Sequence, residues 1–275
     1  MEGFYQGRGA LHMWKGACGL LSLVTFGTLL GTYFGDVAVG VSPLSTTSFR
    51  TGGGAGDELG WEDVELDTLD ASWVPVTLFA VASGVSAIYY CALFLAPDAS
   101  TGLTLQVDGN FNRHRWVRQG IVISLLWVVD SYVAGQTDAY SVSAVAVLGV
   151  LVALNQSAHE SHHTEQGRVG ESMQWLPRIE FWLGGLLAAL FVFVWWYIYY
   201  GTGNAASVDG LSGFVPAAVF TTSLLYVLFH VVAVNGYVTF HEGAAAASKE
   251  YVYDIFEALQ LHLTVWFVMA GLSTA

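Results

Sequence analysis

The chain alternates between long apolar segments and short polar connections. Seven segments are long enough to cross a bilayer, which takes about 20 apolar residues per helix. They cover residues 11–34, 72–96, 115–135, 139–163, 177–200, 214–240 and 249–272. The pattern therefore predicts an all-α membrane protein in which residues 1–275 form a single bundle of seven transmembrane helices.

The composition supports a membrane protein. The 275-residue chain is 54% hydrophobic and 11% charged, whereas about 25% of the residues in a soluble domain are charged. A soluble enzyme of this length does not bury so much apolar surface. Its 22 acidic residues outnumber its 9 basic ones and give a net charge of −13, which excludes the basic surface that a nucleic-acid-binding protein needs.

The positions of lysine and arginine predict the orientation. With seven spans, the N-terminus shares one side of the membrane with three of the connections. The basic residues on that side are Arg8, Arg113, Arg115, Arg168, Arg178 and Lys249, and the opposite side carries only Arg50. Because positive charge accumulates on the cytoplasmic side, we expect a cytoplasmic N-terminus and a C-terminus outside the cell.

The longest connection, residues 35–71, is then extracellular. Residues 37–50 are rich in β-branched types, which favour a β-hairpin. The acidic run from Asp57 to Asp70 is interpreted as a solvated loop. An acidic exterior with few lysines suits high salt, where net charge keeps a surface soluble. We therefore expect a plasma-membrane protein of a halophilic archaeon.

Charged side chains inside the predicted spans are candidate functional residues, because a charge within a bilayer is costly. The candidate polar network consists of His12, Lys15, Arg118, Asp254 and Glu257. Asp254, Glu257 and Leu261 follow a spacing that places them on one face of the seventh span. Two acids at a depth similar to that of Lys15 and Arg118 predict buried ion pairs that fix helix packing.

Two further chemistries are minor alternatives. The charged residues suggest a proton or ion path, although the outer half of the bundle offers chiefly Asp130. The cluster at residues 159–163 (HESHH) fits the HxxHH box of membrane desaturases and hydroxylases. A metal-dependent oxidoreductase needs several such boxes, and the sequence contains no second one. We expect neither a metal site nor an enzyme.

Several motifs resemble those of the heliorhodopsins, a seven-helix family whose N-terminus is also cytoplasmic. Residues 11–16 (LHMWKG) are similar to the family's LHxxQG, and residues 115–116 (RW) to its RWxE. Residues 216–219 and 233–235 resemble PAFV and FAxN, and residues 250–266 align with the family's seventh span without gaps. The resemblance covers nearly the whole chain. It implies a rhodopsin-like bundle and a homodimer in which the long extracellular loop takes part.

The departures from the family pattern concern the retinal site. The resemblance places Leu261 at the position of the family's Schiff-base lysine, and a leucine cannot form an imine. The family's counterion glutamate falls on Arg118, its span-seven serine on Glu257, and its span-one glutamine on Lys15. No lysine follows Lys249 in the sequence. We therefore expect no cofactor and a pocket rewired after loss of the chromophore.

The sequence thus predicts a non-enzymatic, opsin-like protein that binds or signals through a partner without covalent retinal. The alternative is a retinal photoreceptor in which the Schiff base has moved to Lys15, with Glu257 as counterion, because a buried lysine can form imines. Expected partners are membrane lipid, a second copy of the chain, and an unidentified cytoplasmic or membrane protein.

Overall fold

The structure is a computed structural model that describes residues 2–34, 45–50, 60–65, 74–96, 112–133, 139–169, 225 and 244–273. This part of the chain forms helices α1 (Glu2–Phe34), α2 (Val74–Leu95), α3 (Arg113–Val133), α4 (Ala139–Val169) and α5 (Ala244–Ser273), and strands β1 (Ser45–Arg50) and β2 (Gly60–Glu65). The helices correspond to the first four predicted spans and the seventh. The predicted spans at 177–200 and 214–240 lie outside the described residues, apart from position 225.

Three helices extend beyond the apolar segments that predicted them. Helix α1 begins at Glu2 rather than residue 11, α4 continues to Val169, and α5 begins at Ala244. Hydropathy marks the apolar part of a helix, whereas the backbone hydrogen bonds that hold a helix together do not require apolar side chains. The predicted boundaries therefore understate helix length at these ends.

Strands β1 and β2 form an antiparallel pair in which Ser45 lies opposite Glu65 and Arg50 opposite Gly60. We expected a hairpin within residues 37–50, but β1 occupies only the second half of that stretch, and residues 37–44 lie outside the described part. The partner strand comes from the acidic run, so Gly60–Glu65 is a strand rather than a loop, and its solvation stays a prediction. Antiparallel pairing uses backbone groups, and an acidic strand can form it.

Contacts between helices fix their relative directions. Gly16 of α1 lies beside Phe94 of α2, and further along α1 Phe26 lies beside Gly84, so these two helices are antiparallel. Helix α5 runs parallel to α1, because Lys15 bonds Asp254 and, further along both helices, Thr25 lies beside His262. Helix α5 also contacts α2 and α3. Helix α3 in turn packs between α2 and α4.

The described helices expose apolar side chains and bury many of their polar ones. On α4, the side chains of Val147, Val150, Leu151 and Leu154 are all more than 40% exposed. Their spacing places them on one outward face. Among the described helices, Gly9–Thr32 and Val74–Leu95 are long and apolar enough to cross a membrane, and Val142–Ala158 is a shorter apolar stretch. Exposed apolar side chains around a polar interior suit a lipid environment.

One buried apolar cluster joins four helices. It contains Leu29 of α1, four residues of α2, three of α3, and Leu261, Val265 and Val268 of α5. The residues contributed by α2 and α3 are Val76, Phe79, Ala80, Ala82, Val122, Leu126 and Val129. Leu261 is 3% exposed. The position that the resemblance assigns to the Schiff-base lysine therefore faces the apolar interior.

Helices α3 and α4 approach each other closely at Gly149. A Cβ atom added there would lie 2.9 Å from Ser124 Cα and 2.8 Å from Ser124 Oγ. The Ser124 hydroxyl also lies 2.8 Å from the carbonyl oxygen of Ala146, so it crosses from α3 to α4. The absence of a side chain at position 149 is what allows this contact.

We predict that Gly149→Ala lowers the free energy of unfolding by about 1–3 kcal/mol, because the added methyl group meets the backbone of α3. Gly27→Ala is the matched control, since no described atom lies within 4 Å of its added Cβ. Thermal and SDS-induced unfolding of both variants in detergent would test this. Equal stability of Gly149→Ala and the wild type would contradict the close approach.

Candidate functional site

Seven charged side chains form a buried network between four helices, and each of these residues is no more than 5% exposed. This charged network consists of Lys15 from α1, Arg115 and Arg118 from α3, Glu160 from α4, and Glu250, Asp254 and Glu257 from α5. Ionised groups are almost never buried without partners, so each of these charges is expected to have a partner of opposite sign.

The three acids of α5 lie on one helix face. Glu250, Asp254 and Glu257 follow one another at intervals of four and three residues, which stacks their side chains along the helix. Leu261 continues the same face one turn further along. Helix α5 thus presents carboxylates along its first half and apolar groups along its second half.

Lys15 connects α1 to α5. Its Nζ donates to Asp254 Oδ1 at 2.7 Å and to Glu250 Oε2 at 3.5 Å. The same ammonium lies 5.8 Å and 5.6 Å from the ring centroids of Tyr89 and Tyr90, within reach of a cation–π interaction. The side chain is fully buried, so the two carboxylates replace the water that a free ammonium would bind.

Arg115 connects α3 to both α4 and α5. Its Nη1 donates to Glu250 Oε1 at 2.5 Å, and its Nη2 lies 2.8 Å from both carboxylate oxygens of Glu160. The guanidinium carbon also lies 3.7 Å from the ring centroid of Tyr253. Trp116 Nε1 donates to Glu160 at 2.5 Å and completes the environment of that carboxylate. Planar geometry of this kind favours arginine over lysine.

Arg118 forms an ion pair with Glu257. The hydroxyl of Tyr90 donates to Glu257 Oε2 at 3.4 Å, and Arg115 Nε lies 4.0 Å from Glu257 Oε1. Beyond this pair, Gln119 Nε2 donates to Gln260 Oε1 at 3.1 Å. Charged and neutral hydrogen bonds therefore follow one another along the contact between α3 and α5.

Asn112 sets the start of α3. Its Oδ1 accepts a hydrogen bond from the backbone N–H of Arg115 at 3.0 Å, as an N-cap residue does. Its Nδ2 donates to Tyr89 Oη and to Glu250 Oε2, both at 2.9 Å. One buried amide thus fixes the first turn of α3 and also the position of a network acid.

The structure brings together four of the five residues of the predicted polar network and places the fifth elsewhere. The structure brings Lys15, Arg118, Asp254 and Glu257 together in the charged network. His12 does not join them there, because its ring stacks on Phe94 at 4.7 Å and its Nε2 donates to the Phe94 carbonyl oxygen at 2.7 Å. His12 instead contacts α2, so its assignment to the network is wrong. It lies three residues from Lys15 but is turned towards a different neighbour.

Sequence reasoning missed Arg115, Glu160 and Glu250 as network members. Arg115 is the first residue of the predicted third span and one of the cations on the predicted cytoplasmic side, but the structure buries it completely, which removes it from the count of surface cations. The missing signal was periodicity: Glu250 is four residues before Asp254, and Arg115 is three before Arg118. Both lie at the very start of a predicted span, where a charged side chain is expected at the membrane surface rather than in the interior.

The histidine cluster at residues 159–163 is described only in part. Its backbone belongs to the end of α4, but the side chains of His159, His162 and His163 lie outside the described residues. The metal-site alternative therefore stays a prediction.

Residues 46–272 match the family model for heliorhodopsin. The chain belongs to the heliorhodopsin family. The crystal structure of Exiguobacterium sibiricum rhodopsin has a similar fold, with a TM-score of 0.64, 11% sequence identity, and coverage of 96% of each chain. No curated protein matches the chain.

These comparisons confirm the predicted rhodopsin-like bundle for this heliorhodopsin-family chain. At 11% identity, the likeness to the solved rhodopsin shows the fold alone. Membership in a rhodopsin family also supports embedding in a membrane. The cytoplasmic position of the N-terminus stays a prediction from the distribution of arginine and lysine.

We predict that Arg118→Glu lowers the free energy of unfolding by about 3–5 kcal/mol, because it leaves Glu257 beside a second buried acid. Arg113→Glu is the matched control on the same helix, since Arg113 is exposed. The double variant Arg118→Glu/Glu257→Arg should regain part of the loss by restoring opposite charges. Melting of Arg118→Glu at the wild-type temperature would show that this pair does not support the fold.

We also predict that Asn112→Asp destabilises the protein more than Asn112→Ser does. Both replacements can cap the helix, but aspartate exchanges the amide donor for a carboxylate facing Glu250. An unpaired buried acceptor costs about 1–3 kcal/mol, and more when it is charged. Thermal unfolding of the two variants at neutral pH measures the difference. Equal melting temperatures would exclude the contact with Glu250 as a stabilising one.

Proposed function

We propose that this heliorhodopsin-family protein is an opsin-like membrane protein that works without covalent retinal at the usual position and acts non-enzymatically through a partner. The observation that carries the proposal is Leu261. This side chain is buried in the apolar cluster, at the position that the sequence resemblance assigns to the family's Schiff-base lysine, and α5 contains no lysine after Lys249.

The environment of Lys15 supports the same proposal. An amine attacks an aldehyde in its neutral form, whereas Asp254 at 2.7 Å and Glu250 at 3.5 Å both favour the ammonium. The side chain also connects α1 to α5, so an imine at Lys15 would break an ion pair that holds two helices together. Lys15 thus has a structural partner that competes with retinal attachment.

The charged network suggests how such a protein interacts. It joins α1, α3, α4 and α5 at one end of the bundle, the end that the positive-inside rule assigns to the cytoplasm. A bundle end that is held together by these ion pairs offers a defined surface to a cytoplasmic or membrane partner. As further parts of the proposal, the protein is a homodimer in the lipid of a haloarchaeal plasma membrane.

An absorption spectrum tests the proposal. The full chain is expressed with all-trans retinal, purified, and treated with hydroxylamine, and Lys15→Met is prepared in parallel. We expect no visible band in either protein. A wild-type band that hydroxylamine bleaches and that Lys15→Met lacks would overturn the proposal and establish a photoreceptor with its Schiff base on Lys15.

A bleachable band that persists in Lys15→Met would also contradict the proposal, because it would place an imine elsewhere in the chain. The signalling part has its own test, which is cross-linking in the native membrane followed by repetition with Arg118→Glu. A specific cross-linked partner that this variant loses would support a role for the network end of the bundle. Retention of every cross-link would argue against that role.

A further inference from the structure

The charged network contains one more acid than it has cations. Among the described residues, Lys15, Arg115 and Arg118 carry its positive charges, and four carboxylates face them. All seven side chains are buried, so water does not compensate a charge that is left over. An excess negative charge in such an interior is costly, and a carboxylic acid avoids that cost by holding a proton.

The excess lies around Lys15 and Arg115 rather than around Arg118. Arg118 forms an ion pair with one acid, Glu257. Lys15 and Arg115 both bind Glu250, and each of them also donates a hydrogen bond to one further acid. Two cations are therefore shared by three carboxylates in this part of the network.

Asp254 has the weakest compensation of these three carboxylates. Its Oδ1 accepts the 2.7 Å hydrogen bond from Lys15, whereas its Oδ2 is buried without a hydrogen-bond partner among the described residues. Glu250 accepts hydrogen bonds at both of its oxygens, from three side chains. Both oxygens of Glu160 also accept hydrogen bonds. A proton added to the network therefore removes the most unfavourable charge when it binds Asp254 Oδ2.

We propose that Asp254 holds a proton at Oδ2 in the folded protein at neutral pH, so that a neutral acid lies in the contact between α1 and α5. Oδ1 is then the carbonyl oxygen of the acid, and it still accepts the hydrogen bond from Lys15. Lys15 keeps its positive charge, because the ionised Glu250 lies 3.5 Å from its Nζ. With this proton, three cations face three ionised carboxylates among the described network residues.

The surroundings of Asp254 were compared helix by helix for groups that could replace the proton. The titratable groups that interact with it are Lys15 and Cys18 of α1, Tyr89 and Tyr90 of α2, Arg118 of α3, and Glu250 and Tyr251 of α5. Thiols and phenols are uncharged at neutral pH. Glu250 adds negative charge, and Arg118 is paired with Glu257. Within the described helices, the shared Lys15 is thus the main compensation that Asp254 receives.

This proton makes the stability of the protein depend on pH. An aspartate in an unfolded chain is ionised at neutral pH, so the folded state binds one more proton than the unfolded state does. Stability then falls as the pH rises, because higher pH favours the state that binds fewer protons. The proton site goes beyond the partner-binding role proposed above and does not depend on it, so the two are tested separately.

Infrared spectroscopy of the full-length protein in nanodiscs tests the proposal directly. A protonated carboxylic acid has a C=O stretching band that a carboxylate lacks. At neutral pH we expect the wild type to show such a band, and we expect Asp254→Asn to lose it. Asp130→Asn is the matched control, since Asp130 is a second fully buried aspartate, and its replacement should leave the Asp254 band in place. Spectra from which Asp254→Asn removes no such band would overturn the proposal.

Melting temperatures provide an independent measurement. Asp254→Asn replaces a neutral acid by a neutral amide of the same shape, and we expect its Tm to lie within about 2 °C of the wild type. Glu250→Gln removes an ionised partner of two cations and should lower the Tm by at least about 6 °C. Failure of Asp254→Asn to fold, or an equal fall in both variants, would show that Asp254 is needed in its ionised form and would overturn the proposal.

The pH dependence of the same melting temperatures completes the test. The Tm of the wild type should fall as the pH is raised above neutral, and that of Asp254→Asn should fall less, because the variant has no proton to release at this position. Parallel curves for the two proteins would contradict a proton on Asp254.

Discussion

Arg115 binds two carboxylates from two different helices, and the arrangement of the bundle at this end depends on that interaction. Its guanidinium contacts Glu160 of α4 and Glu250 of α5 while its backbone belongs to α3. Removing a charge from water is costly, and opposite charges offset that cost only at close range and with good geometry. Three helices are therefore held at the depths and rotations that keep these groups in contact.

The remaining ion pairs extend the same constraint. Lys15 brings in α1 through Asp254, and Arg118 adds a second link between α3 and α5. With three acids on one face, α5 has little freedom to rotate, because rotation would move a carboxylate towards lipid. In the orientation that the three acids fix, Leu261 points into the apolar cluster. The charged network thus determines the environment of a residue that it does not touch.

This arrangement relates the proposed function to the fold. The bundle belongs to a rhodopsin family, and its interior contains two layers along α5, one of paired charges and one of apolar side chains. A cation at position 118 next to an acid at position 257 is a self-compensated pair, which needs no Schiff base to balance it.

Much of the fold could be predicted from the sequence because bilayer thickness imposes a length on each apolar segment. The same physics identified Lys15, Arg118, Asp254 and Glu257, since charges among apolar residues stand out at helical spacing. Hydropathy failed where polar residues take part in regular structure: it placed Arg115 at the cytoplasmic surface and Gly60–Glu65 in a loop. A polar segment that belongs to a helix end or a strand has the same composition in the sequence as a polar segment in a solvated loop.

The sequence by itself therefore determined the family, the apolar spans and the face of α5 that carries its acids. Only the tertiary structure decided which cation meets which acid, that Lys15 pairs with Asp254 and Arg118 with Glu257, and that His12 turns towards Phe94. The physical reason is that periodicity places a residue on a face of its own helix. The partner across the interface depends on how neighbouring helices are rotated and shifted, and the packing of the whole bundle determines both.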